Sequence, residues 1–265
     1  MQSPTEKLIA QKDGAIGWLT FNNPARRNAL SVDMWEGIPV VMEQFEADPE
    51  IRVIVLKGTL EAKAFISGAD ISEFEKRRAT NAAAADYNTT SARAFAAVEK
   101  AKKPTIAMIQ GFCLGGGLAF AVGCDLRLAG EGSRFSIPAA KLGLGYGWPG
   151  VKKFIDLVGP AYAKEIFLTA RQFDAAEALG MGLVNRVLPN AELEAYVRNY
   201  CAMIAENAPL TIAAIRAAAH EVGRVDGEID GAYLDSLVAR CFDSEDYKEG
   251  RNAFLEKRKP AFKGR

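Results

Sequence analysis

The chain is poor in the residues on which much side-chain catalysis depends. It has one histidine, His220, inside the Ala-rich helical stretch TIAAIRAAAHEVGR. A serine or cysteine triad would have to place its only base on that packing helix, and no G-x-S-x-G elbow is present, so both counts speak against a triad. A histidine-rich metal site is excluded by the same count. The four cysteines, Cys113, Cys124, Cys201 and Cys241, contain no CxxC pair, which argues against zinc and against a disulfide framework and for reduced thiols in the interior. Neither sign of charge is in excess, with 33 Lys+Arg against 33 Asp+Glu, so nothing points to nucleic acid. No apolar run approaches membrane-spanning length, and MQSPTEKLIAQKDG resembles neither a signal nor a transit peptide; the expectation is a cytoplasmic protein with no membrane partner.

What is present is an α/β pattern. At 265 residues the chain can bury a sizeable core, as one large domain or a domain with an appendage. KLIAQKDGAIGWLTF alternates around Asp13-Gly14 and predicts an antiparallel hairpin. RVIVLKG (52–58) and PTIAMIQG (104–111) are short, β-branched and nearly continuous in apolar residues, as strands of a parallel sheet buried on both faces are. Helical patterns occupy 31–47 and 82–101; ISEFEKRR follows SGAD as a helix, GLAFAVG follows CLGG as another, and DLRLAG returns as a strand. Two or three more helices are expected over 150–181. Beyond VNRVL the chain is almost wholly helical, so it divides into an α/β core over 1–195 and a C-terminal helical region over 196–265.

The stretch GFCLGGGLAFAVGCD, 111 to 125, holds three consecutive glycines followed by an apolar run with no carboxylate, histidine or amine until Asp125. A strand that runs through glycines into a helix exposes backbone N–H groups with the positive end of the helix dipole behind them, which is an anion site. The phosphate motifs fail: GxxxxGK[ST] is absent and GGGLAF lacks the last glycine of a dinucleotide fingerprint. A developing oxyanion remains, and SGAD (67–70) offers a second loop N–H to complete a hole for it. Taken singly, GGG equally suits close helix–strand packing, and Asp70 suits a helix N-cap.

The ordered blocks FISGADISEF, KPTIAMIQGFCLGGGLAFAVGCDLRLAG, SRFSIPAAKLGLGY and SEDYKEGRNAFLEKRKPAFKGR resemble the crotonase superfamily, the enoyl-CoA hydratase/isomerase family, over nearly the whole chain. The resemblance implies a crotonase-like spiral of ββα units, a C-terminal helical region used in trimer assembly, and a homotrimer or homohexamer. It implies lyase or isomerase chemistry of fatty acid metabolism on an acyl-CoA, whose thioester oxygen is held as an enolate by the N–H groups of Ala69 and Gly116. No separate cofactor or metal is implied, since coenzyme A enters as part of the substrate. For the coenzyme, the resemblance points to Arg26 or Arg27, Lys63, the Ser67 carbonyl, Asp70, Phe254 and Lys257.

The two glutamates of family hydratases fall here on Ala119 and Ala139, and alanine moves no proton. Partial likeness to methylmalonyl-CoA decarboxylase brings in Tyr146 of GLGY, either as a phenol that orients a carboxylate or donates a proton, or as an aromatic lining the acyl pocket. That branch differs in having histidine where Ala69 stands and a carboxylate where Ala119 stands. Lys141 is expected as a surface charge, and Trp148 as part of the pocket or its lid. The alternatives to hydration are thus decarboxylation of a malonyl-type thioester and acyl-CoA binding without turnover.

Overall fold

The computed structural model describes residues 1–70, 72, 81–223 and 228–265. Strands β1 (Leu8–Asp13) and β2 (Ile16–Phe21) form the expected antiparallel hairpin, with Asp13 opposite Ile16 and Gly14 at positive φ in the turn. From β2 onward the main sheet is parallel, running β1-β2-β3-β5-β7-β10, with β3 at Val53–Gly58, β5 at Thr105–Ile109, β7 at Leu126–Gly130 and β10 at Arg186–Leu188.

A second, smaller sheet, β4-β6-β8-β9, uses strands of two or three residues: β4 Ala64–Ile66, β6 Phe112–Leu114, β8 Arg134–Ser136 and β9 Phe173–Asp174. Each successive pair, β3–β4, β5–β6 and β7–β8, gives its first strand to the large sheet and its second to the small one. The chain therefore winds as a spiral, the crotonase-like α/β fold.

Side-chain alternation explains why β3 looks apolar throughout. Ile54 and Leu56 enter the main core between sheets and helices, whereas Val53 and Val55 face a second core on the opposite side. Helix α1 (Val32–Ala47) buries Trp35, Ile38, Met42 and Phe45 in the main core and packs on α2 (Asn81–Glu99). Helix α3 (Gly116–Gly123) is apolar all round and lies inside. Helix α4 (Trp148–Thr169) is broken at Gly159-Pro160, and α5 is Ala175–Gly180. The helix expected over ISEFEKRR lies outside the described residues, Ser72 excepted.

Helix α6 (Leu193–Ala205) spans the boundary expected at 195/196. Its face Leu193, Val197 and Cys201, spaced one turn apart, closes the second core over the main sheet, so α6 packs with the preceding α/β structure. Helices α7 (Pro209–Val222), α8 (Gly231–Asp243) and α9 (Glu245–Glu256) follow and bury few side chains of their own.

Candidate functional site

The three glycines have three different tasks. Gly115 sits at φ 51°, ψ −118°, a turn that L side chains rarely adopt, and carries the chain from β6 into α3. Gly117 lets the helix lie on β4, since a Cβ there would be 2.3 Å from the carbonyl oxygen of Ile66. Gly116 has neither constraint: its nearest neighbours around a Cβ would be Trp35 at 3.6 Å and the backbone nitrogen of Ala69 at 3.8 Å. At this middle position the absence of a side chain leaves open space beside a second amide.

Ala69 is aimed by a short piece of parallel ladder. The Leu30 N–H donates to the Gly68 carbonyl at 2.8 Å, and the Asp70 N–H donates to the Leu30 carbonyl at 2.9 Å. Backbone groups alternate in direction along an extended chain, so the N–H of Ala69 points away from Leu30. Gly116 opens α3 and has no intrahelical acceptor for its N–H. Among the described residues, neither the Ala69 nor the Gly116 N–H donates to any other group.

Both residues line one cavity of about 640 Å³. Helix α2 supplies one wall through Ser91, Phe95 and Glu99, one turn apart, and α3 supplies another through Gly116, Ala119 and Val122. Tyr146 and the first turns of α4 close the third side. Trp35 is fixed at the base: its indole N–H donates to the Tyr87 hydroxyl at 3.0 Å and its ring stacks on Phe120 at 5.5 Å. Two amide donors facing one apolar, partly closed space can hold one oxygen that gains negative charge.

The cavity holds few groups able to move a proton. Ala119 and Ala139 line it with methyl groups. Tyr146 packs on Phe167 at 4.7 Å, and burial pushes its phenol up to about 12, so it stays protonated at neutral pH and is a donor rather than a base. Asp125, the first acid after the glycines, is taken by structure, accepting from the Thr105 N–H at 2.7 Å and from Arg216 at 2.8 Å. Burial also raises the Cys113 thiol well above its ordinary value and the Cys124 thiol to about 12, which leaves both inert.

Of the residues singled out in the sequence, Ala69, Gly116, Tyr146 and Ser67 come together on this cavity. Neither Arg27 nor Lys63 lines it: Arg27 adjoins Ser67 at its edge, whereas Lys63 stands before β4, at the opposite end of that strand from Ala69. The Ser67 N–H donates to the Arg27 carbonyl at 3.2 Å and its hydroxyl to the Arg26 carbonyl at 3.2 Å, while the Arg27 guanidinium covers the Phe112 ring. Asp70 accepts from the N–H and hydroxyl of Ser72 in a cap-like turn.

Phe254 is 83% exposed and borders a different cavity, about 820 Å³, between α7, α8 and α9; Lys257 ends α9. Within one chain these two are not brought to the amides. That second cavity is larger but almost wholly apolar. Trp148, expected at the pocket, is 64% exposed at the start of α4 and does not line it: it opens the helix, and the pocket is lined one turn further on by Gly150, Lys153 and Phe154. Lys141 is exposed, as expected.

Two residues went unnoticed in the sequence. Glu99 and Lys153 line the cavity and form an ion pair with each other. The stripe Ser91, Phe95, Glu99 on one helical face was the available signal.

Comparison with known proteins agrees with this architecture. The model of the family described as enoyl-CoA hydratase/isomerase matches residues 11–265. The chain is 34% identical over 259 residues to a short-chain-enoyl-CoA hydratase of Clostridium acetobutylicum, covering 97% of this chain and 98% of that protein. It is 33% identical over 259 residues to a 2,3-dehydroadipyl-CoA hydratase of Escherichia coli, covering 98% and 99%. Among solved structures, an enoyl-CoA hydratase/carnithine racemase from Magnetospirillum magneticum superposes with a TM-score of 0.93 at 36% identity, covering 99% of this chain and 97% of that one.

Proposed function

The chain belongs to the enoyl-CoA hydratase/isomerase family, and from that membership we propose that it acts on an acyl-CoA whose thioester oxygen rests between the N–H groups of Ala69 and Gly116. One observation carries the reading: the space at the Gly116 α-carbon opens directly onto the Ala69 nitrogen, 3.8 Å from where a Cβ would stand. As an enolate forms, that oxygen gains charge, and donors already in place favour the charged state over the neutral one. Each such donor contributes on the order of 3 kcal/mol to the barrier.

The relatives named above are hydratases, yet Ala119 and Ala139 occupy the places where the family resemblance puts the hydrating glutamates. Methyl groups neither activate water nor protonate carbon. The reading that fits these walls is chemistry in which the substrate brings its own leaving group. In decarboxylation of a malonyl-type thioester, the bond to the carboxylate carbon breaks, CO2 departs, and the electron pair moves through the α-carbon onto the thioester oxygen. The enolate then takes one proton on carbon, from water or from the Tyr146 phenol, which burial keeps protonated.

For the coenzyme, the Ser67 carbonyl and Arg27 adjoin the cavity, with Asp70 shaping the turn, and Lys63 enters from the family resemblance. Phe254 and Lys257 do not line the cavity of the amides, which suits a role toward a coenzyme bound by a neighbouring copy in a homotrimer or homohexamer. The exposed apolar side chains of α7, α8 and α9, Ile215, Phe242 and Leu255 among them, support such an assembly. The buried thiols of Cys113, Cys124 and Cys201 are free, as a cytoplasmic protein's would be.

Incubation with saturated, enoyl, dienoyl, hydroxyacyl and malonyl-type CoA thioesters, followed by mass analysis, tests the proposal. Loss of CO2 from the malonyl-type thioester without water added to the enoyl one is the expected result. Rapid hydration would overturn the assignment of the reaction, and binding without any conversion would make the protein an acyl-CoA binder.

A further inference from the structure

The far end of the acyl cavity is not apolar. Helix α3 points its N-terminus, at Gly116, to the amide pair and runs along the cavity past Ala119 and Val122. Its last residue, Gly123, abuts Glu99: a Cβ on Gly123 would be 3.1 Å from the Glu99 Cγ. From Gly116 to Gly123 the helix rises about 10 Å. The Glu99–Lys153 ion pair therefore stands about two turns beyond the amides, on the line an acyl chain would follow from its thioester. It joins α2 to α4, with the Glu99 side chain 21% exposed and that of Lys153 40%.

Such a pair at the end of a pocket discriminates by charge. A methyl terminus would have to desolvate both ions and return nothing. A terminal carboxylate would accept from Lys153 but meet Glu99, and a terminal ammonium would meet the reverse conflict. A hydroxyl or amide can accept from the Lys153 ammonium and donate to the Glu99 carboxylate at once, with no net charge to bury.

We propose that the cavity selects acyl chains of medium length ending in a neutral hydrogen-bonding group, a hydroxyl or amide, which inserts between Lys153 and Glu99. The span suits about six to eight carbons, taking extended single bonds of about 1.5 Å. The inference rests on the acyl-CoA reading of the site and adds the class of acyl group. Lys153 and Glu99 are specificity residues here: they touch the tail of the substrate, not the reacting atoms.

Binding decides it without knowledge of the reaction. Octanoyl-CoA, ω-hydroxyoctanoyl-CoA and octanedioyl-CoA are titrated into the intact protein by calorimetry. The hydroxyl-ended thioester is expected to bind roughly tenfold tighter than the methyl-ended one, the scale of a hydrogen bond to a charged partner. In a Glu99→Met, Lys153→Met double variant that margin should vanish while octanoyl-CoA binds at least as well as before.

Equal or tighter binding of octanoyl-CoA by the parent protein overturns the proposal, even if the double variant fails to fold, and leaves the pair as a brace between helices. Tightest binding of octanedioyl-CoA also overturns it, in favour of Lys153 acting alone. If none of the three thioesters binds, both this proposal and the acyl-CoA reading fall; if all bind alike, only this one does.

Discussion

The cavity at the amides and the cavity among the C-terminal helices differ in what their walls are made of. The larger one lies among α7, α8 and α9 and is bounded by exposed apolar side chains such as Phe254 and Leu255. The smaller one is bounded at one end by main-chain amides and at the other by an ion pair, with aromatic rings between. Size alone points to the larger one, and the chemistry of the walls points to the smaller. A surface made of greasy side chains waits for another surface, whereas convergent N–H groups wait for an oxygen.

Five substitutions break or sharpen this contrast. The largest effect is expected from Gly116→Pro. Proline is accepted at the first position of a helix, so the fold should persist, but one of the two amide donors is gone. Turnover of any thioester that the parent converts should fall by roughly a hundredfold or more. Unaltered turnover in a folded variant, checked by circular dichroism, would remove Gly116 from the mechanism.

Next come the alanine substitutions of neighbouring glycines, which should part company. Gly117→Ala drives a methyl against the Ile66 carbonyl and should cost about 3 kcal/mol in denaturant unfolding. Gly116→Ala fits without a clash and should leave stability within about 1 kcal/mol of the parent, yet its methyl occupies the gap beside the Ala69 nitrogen and should depress turnover. Equal destabilisation by both would contradict the separate tasks assigned to them.

On the other cavity, Leu255→Asp puts a charge on a side chain that is 76% exposed. Light scattering after size exclusion should show smaller assemblies than the parent forms, with the cavity at the amides unchanged. A parent that is itself monomeric would sink the assembly proposal outright.

The smallest effect is expected from Tyr146→Phe. Burial raises this phenol from an ordinary value of 10 to about 12, so its contribution to stability is complete below pH 10 and is lost as pH rises from there through 12. Unfolding measured across that window should lose part of its pH dependence in the variant. Activity at neutral pH should drop only if the phenol donates the proton.

The sequence revealed those parts of the fold whose residues face two ways at once. Strands β3, β5 and β7 are buried on both faces, so nearly every residue is apolar and the pattern survives without context. Strands β4, β6, β8 and β9 have two or three residues each, too few to show any periodicity, and exist because neighbouring turns of the spiral present them with partners. The glycine turns were visible because no other residue suits Gly115 or Gly117. Glu99 and Lys153 were not, since they are 54 positions apart and meet only after α2 and α4 have packed. Phe254 and Lys257 came from family likeness alone, which carries no information on which copy of the chain a residue serves.

Leu30 holds Ala69 by its neighbours' bonds and leaves that residue's own amide facing inward, and the start of α3 does the same for Gly116. A peptide N–H belongs to the chain rather than to any codon, and among the twenty residues only proline deletes it. Descendants of this gene could therefore exchange every side chain around the cavity, acquiring or discarding acids and bases, while inheriting the same electropositive notch. One scaffold would then be open to several chemistries in turn.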